Sequence, residues 1–147
     1  MSRPKLMLWA TRAGLLYIAL GITFGALILF HKGIPYAPTL WLLLPAHMDL
    51  MLIGGMTQFA FGIAFGILPR FRTEPRRGNV KLSWAALILL NLGVWLVALS
   101  PYLGFNAGTA LLAGRALEAA GALAFLLHAW PRVRPVVITV PKTKKAE

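Results

Sequence analysis

The stretch that decides the fold is residues 45–71, which read PAHMDLMLIGGMTQFAFGIAFGILPRF. As a helix it is long and apolar enough to cross the hydrocarbon core of a bilayer, which takes about 20 residues. His47 and Asp49 lie in its first turns, and Pro69 ends it. Ionisable side chains inside such a helix are costly to bury and mark a candidate functional site.

The composition of the whole chain is that of an integral membrane protein. Hydrophobic residues make up 59% and charged residues 13% of the 147 residues, whereas soluble domains average about 45–50% and about 25%. The chain has no cysteine, which excludes disulfides, thiolate metal sites and haem attached through Cys-x-x-Cys-His. The net charge of +11 lies beside apolar spans rather than on a soluble basic domain. We therefore predict contact with anionic lipid and no nucleic-acid binding.

Hydropathy predicts one all-α domain, residues 1–132, that is an integral membrane four-helix bundle, followed by a basic tail, residues 133–147. The predicted spans are residues 13–30, 45–68, 82–99 and 109–130. Basic residues concentrate before the first span, between the second and third, and after the fourth; the other two connections share only Lys32. By the positive-inside rule both termini are cytoplasmic, and His47 lies near the outer face. The first span lacks a small-residue cleavage site and is interpreted as a retained helix.

Four ionisable residues are predicted to gather in the outer third of this bundle, His47 and Asp49 on the second span and Arg115 and Glu118 on the fourth. The i,i+3 spacing of Arg115 and Glu118 fits an ion pair that locks helix packing. It equally fits an arginine that meets an anionic cofactor group, with the carboxylates setting the local charge. His128, at the cytoplasmic end, is predicted to be an interfacial residue and ranks behind His47 as a metal ligand.

One face of the second span carries small residues below His47. The residues that recur at spacings of three and four are His47, Met51, Gly54, Gln58, Gly62 and Gly66. Such a face allows close approach of another helix, and it equally leaves room for a flat macrocycle below an axial imidazole. Met51 is either a thioether ligand for haem iron or copper or a core filler. Gln58 is predicted to bond across helices.

Ala46-His47 at the head of a glycine-rich helix that ends Gly66-Ile67-Leu68-Pro69-Arg70-Phe71 resembles the second helix of the haem–copper oxidase catalytic subunit. The resemblance is greatest to C-type oxidases and nitric oxide reductases, and the segment also resembles nitric-oxide-response membrane proteins. In the oxidase family this histidine is an axial ligand of a low-spin haem. The resemblance implies haem b on His47, in the inner membrane of a bacterium or archaeon. The match carries the family's ligand to His47 alone. From their positions in this chain, further cofactor contacts are predicted at Arg115 (to a propionate), Met51, Gly54, Gln58, Asp49 and Glu118.

The chain departs from that family in size and in ligands. The family's catalytic subunit has about twelve helices in three four-helix arcs, and this chain resembles one arc, which implies a homotrimer. It lacks the histidine cluster that would hold copper and a high-spin haem. The resemblance thus implies electron transfer or binding of O2 or NO, with a redox partner or quinol, rather than turnover by a monomer. Two alternatives stay open: a proton- or ion-coupled transporter that uses Asp49, Arg115 and Glu118, and a cofactor-free structural or assembly subunit.

Overall fold

The four predicted spans form four helical rods in the computed structural model, which describes residues 5–133. These rods are Lys5–Gly33, Pro38–Ile67, Val80–Tyr102 and Gly104–Arg132. All four are long and apolar enough to cross a membrane, and only 22–39% of the residues in their most apolar windows are buried in the bundle. Most of the apolar surface therefore faces outward, as it does in a multi-pass membrane protein. Residues 5–133 contain no strand.

Short turns and one π-helical segment divide these rods. The elements in chain order are α1 (Lys5–Gly33), a 3₁₀ turn (Pro38–Leu43), α2 (Leu44–Asp49), the π-helical segment (Leu50–Thr57), α3 (Gln58–Ile67), α4 (Val80–Leu99), two 3₁₀ turns (Ser100–Tyr102 and Gly104–Asn106), α5 (Ala107–Ala129) and a last 3₁₀ turn (Trp130–Arg132). The structure lengthens the first, third and fourth predicted spans at both ends, and the second at its start. From residue 134 onward, the predicted basic tail lies outside the described residues.

The π-helical segment changes which side chains share a face of the second rod. Its hydrogen bonds run between residues i and i+5, so residues beyond it are rotated relative to an α-helical register. Gly54 lies against Tyr17 of α1 and Val94 of α4, whereas the fully buried Gln58 hydrogen-bonds to Asn91 of α4. Gln58 therefore departs from the face predicted from His47 to Gly66, whose other members lie against α1, because that prediction assumed an uninterrupted α-helical period.

Two helical hairpins make up the bundle, and glycines bring the rods of each together. In the first, Gly14 of α1 lies so close to the second rod that an added Cβ would be 3.1 Å from the carbonyl oxygen of Gly55. In the second, an added Cβ on Gly93 of α4 would be 2.8 Å from the carbonyl oxygen of Gly114 on α5. Such close backbone approach is the usual role of small residues between membrane helices.

A polar link joins three rods at mid-bundle. The Tyr17 hydroxyl donates to Asn91 Oδ1 at 2.5 Å and accepts from Trp95 Nε1 at 3.0 Å. Asn91 Nδ2 donates to Gln58 Oε1 at 2.9 Å. The prediction that Gln58 bonds across helices is confirmed, and this link fixes the relative rotation of α1, α3 and α4.

Asn91→Leu is expected to lower the free energy of unfolding by about 1–3 kcal/mol, because it leaves buried groups on Tyr17 and Gln58 without their partner. Unfolding in mixed detergent micelles, followed by circular dichroism, measures the loss. Leu92→Ala, on the exposed side of the same helix, is the control. Equal midpoints for the two variants would contradict a stabilising role for the link.

Candidate functional site

His47 is held against α1 by one of its two ring nitrogens. Nδ1 lies 2.8 Å from the carbonyl oxygen of Gly21, and since a carbonyl only accepts, Nδ1 carries the proton and donates it. The ring packs on Gly25, where an added Cβ would lie 2.6 Å from Cε1. Nε2 therefore keeps its lone pair, and it has no hydrogen-bond partner within residues 5–133. Histidines that bind metals are commonly held in this way, with the nitrogen that does not bind the metal donating to a carbonyl or carboxylate.

The His47 ring also lines an open groove between α1 and α2. The groove has a volume of about 520 Å³. Its lining residues are Ile22, Gly25, Ala26, Ile28, Leu29, Lys32, Leu44 and His47. Apart from His47, Lys32 is the one ionisable member of this lining, and it lies at the end of α1, where the chain leaves the apolar span. We call this feature the His47 groove.

The other residues predicted around a cofactor on the second rod do not line the His47 groove. Met51 fills the space left by Gly21, since a Cβ added there would be 2.8 Å from its sulfur. Gly62 lies against Ala10 and Thr11. The small-residue face is thus covered by α1 and has no room for a macrocycle. The packing alternative for these glycines is confirmed.

Asp49, Arg115 and Glu118 form a separate charged cluster on the opposite side of α2. Arg115 Nη1 donates to Asp49 Oδ1 at 2.5 Å and to Glu118 Oε2 at 2.8 Å. The two carboxyl side chains are buried, with 3% and 7% of their surface exposed, whereas the arginine is about half exposed. Asp49 follows His47 by two residues, which places them on different faces of a helix. The structure therefore joins three of the four predicted ionisable residues and separates His47 from them.

This separation bears on the predicted propionate partner. Nη1 of Arg115 is engaged by both carboxyl groups, and Arg115 does not line the His47 groove. Lys32, which the sequence places in the connection after the first span, lies in the groove. The groove was not predictable from spacing because it depends on how α1 crosses α2.

At the other end of the bundle, His128 and Arg132 form a buried hydrogen-bonded pair. Both are almost fully buried. Arg132 donates to the carbonyl oxygens of Phe65, Leu68 and Pro69 at 2.8–3.2 Å, and its Nη1 lies 2.9 Å from His128 Nε2. His128 Nδ1 lies 3.0 Å from the Asn79 carbonyl oxygen and donates to it. His128 is thus an internal residue rather than the predicted interfacial one, and neither of its ring nitrogens is free for a metal.

His31 closes the connection after α1. Its Nδ1 accepts from the backbone N–H groups of Tyr36 and Ala37 at 3.1 and 3.2 Å, and its ring meets Tyr36 edge-on. A histidine in this role orders a loop. Within residues 5–133 no group of three or more His, Asp or Glu side chains has the arrangement of a metal site.

Comparison with known protein families, curated protein sequences and solved structures gives no match to this chain. The resemblance to the second helix of haem–copper oxidases therefore rests on the residues of the segment themselves. The His47 groove and the charged cluster are the two places where this chain could carry out chemistry.

Proposed function

We propose that this chain is a membrane protein that binds b-type haem through His47 Nε2, for electron transfer or for binding of O2 or NO. The observation that carries the proposal is the His47 ring: Nδ1 is fixed by the Gly21 carbonyl, and Nε2 has no protein partner. Axial histidines of haem use a nitrogen lone pair, and a hydrogen bond at the other nitrogen sets their tautomer and orientation.

The His47 groove fits a flat apolar ligand with a charged edge. Its lining is apolar apart from His47 and Lys32. Such a lining would hold the apolar faces of a propionate-bearing macrocycle, and a cation at the end of the span would pair with its carboxylates. Lys32 takes the propionate role in this proposal, because Arg115 is engaged with Asp49 and Glu118.

When bound, haem supplies a redox-active iron, whose sixth position decides between electron transfer and gas binding. The chain's own contribution is to hold the imidazole at one tautomer and to exclude water with an apolar lining. Since the groove is open on one side, one chain covers only part of a ligand, whereas cofactor sites usually bury 70–90% of theirs. A further copy of the chain at this side would complete the site, in line with the homotrimer that the resemblance implies.

The test is an absorption spectrum of the purified protein in detergent, oxidised and dithionite-reduced, after addition of haem b. We expect a Soret band and sharp reduced α and β bands that are lost in His47→Ala. His31→Asn, which keeps an acceptor for the loop N–H groups, is expected to retain them. Lys32→Gln is expected to weaken haem affinity several-fold, whereas Lys81→Gln, at the other end of the bundle, is expected to leave it unchanged.

A wild-type protein that stays colourless after haem addition would overturn the proposal. The remaining functions would then be a transporter or a structural or assembly subunit. If the haem bands were retained in His47→Ala, another residue would be the ligand of the haem iron. The detergent-corrected mass of the haem-bound protein measures the assembly, and a monomer would contradict the completed groove.

A further inference from the structure

The charged cluster has an excess of acid over base. Two buried carboxyl groups, Asp49 and Glu118, share one guanidinium, Arg115. If both were ionised, the cluster would carry a net charge of −1 inside an apolar span, with Glu118 about 16 Å along α5 from Ala107 at about 1.5 Å per residue. An uncompensated charge at such a site is costly, so a further positive charge is required.

Two carboxyl oxygens of the cluster lack a hydrogen-bond donor in the described part of the chain, which indicates where a further positive charge would bind. Asp49 Oδ2 and Glu118 Oε1 are buried and have no donor within residues 5–133. The other oxygen of each carboxyl accepts from the same nitrogen of Arg115. Because both carboxyl groups accept from this one nitrogen, they lie beside each other. A single proton on one of them removes the excess charge.

We propose that the cluster is a proton-binding site, in which Glu118 is held as the neutral acid beside the Asp49–Arg115 ion pair. Asp49 has the shorter contact with the guanidinium, which assigns the ionised role to it. From α4 the backbone of Gly93 packs against Glu118 and brings no charge. Within the described residues, Asp49 and Arg115 are therefore the charged groups that face Glu118. This site goes beyond haem binding and does not depend on it.

A proton on this cluster can be detected directly, because few other groups give an overlapping signal. The chain has only four carboxyl side chains, Asp49, Glu74, Glu118 and Glu147. Infrared spectroscopy of the haem-free full-length protein in lipid nanodiscs distinguishes a protonated carboxyl from carboxylates by its C=O stretching band. We expect the band at neutral pH, a shift of it in D2O, and its loss on alkalinisation.

Two variants separate this site from a merely structural ion pair. In Glu118→Gln the band is expected to be lost, because the proton carrier is gone. In Asp49→Asn it is also expected to be lost, because Glu118 must then ionise to balance Arg115. Glu74→Gln, which alters an exposed surface pair with Arg76, is the matched control and is expected to retain the band.

The wild-type spectrum alone is decisive if a variant does not fold. Absence of a protonated carboxyl band at neutral pH would overturn the proposal. Stabilisation of that protein by Na+ at constant ionic strength would then identify a bound cation as the compensating charge. A band that persists in Glu118→Gln would place the proton on another residue and would equally overturn it.

Discussion

Arg132→Gln is expected to lower the free energy of unfolding by about 3 kcal/mol or more. Each buried carbonyl oxygen that loses its hydrogen-bond donor costs about 1–3 kcal/mol. Arg132 is 1% exposed and donates to three carbonyl oxygens around the end of α3, as well as facing His128. Within residues 5–133 no carboxylate pairs with it. Its charge is instead balanced by the carbonyl dipoles at the C-terminal end of α3, where a cation is favoured.

The loss is measured from unfolding midpoints in mixed detergent micelles. Arg132→Lys is expected to be intermediate, because an ammonium is a point charge and cannot reproduce the planar fork of donors. Arg76→Gln is the control: Arg76 is two-thirds exposed and pairs with Glu74, so its loss is expected to cost less than about 1 kcal/mol. An Arg132→Gln protein as stable as Arg76→Gln would show that the buried hydrogen bonds of Arg132 do not stabilise the bundle.

Gly93→Leu is expected to separate α4 from α5 and to lower the free energy of unfolding by about 3 kcal/mol, the upper end of the usual cost of overpacking. A Cβ at this position would lie 2.8 Å from the Gly114 carbonyl oxygen and 2.7 Å from Glu118 Cγ. The first of these is backbone, which does not move aside as a flexible side chain does. The substitution also displaces Glu118, so the proposed proton site is expected to change with it.

Gly108→Leu is the matched control for this substitution. Gly108 lies on α5, and a Cβ added there has no neighbour within 4 Å. We expect it to be as stable as the wild type or slightly more so, because leucine is a better helix former than glycine. Thermal unfolding in detergent and elution on gel filtration compare the two. Similar midpoints for Gly93→Leu and Gly108→Leu would contradict close backbone packing at Gly93.

The sequence was sufficient to predict the number of rods, because long apolar runs interrupted by Gly and Pro depend on local composition alone. It also predicted the meeting of Asp49, Arg115 and Glu118, since the second and fourth rods run in the same direction and depth along each follows from position in the chain. It did not predict that Gln58 turns from the face below His47 towards α4. The π-helical segment Leu50–Thr57 changes the register there, and the hydropathy of the chain carries no sign of it.

Two features were decided only by the tertiary structure. Arg132 follows Pro131 in a basic stretch and looks like a surface charge, but a 3₁₀ turn carries it under the end of α3. The His47 groove exists because α1 crosses α2 at Gly25, which sets Lys32 rather than Arg115 beside the imidazole. Composition and spacing determine which solvent a helix faces and how deep a residue lies. Which side chains meet depends on helix rotation and crossing, and these are set by contacts between residues far apart in the chain.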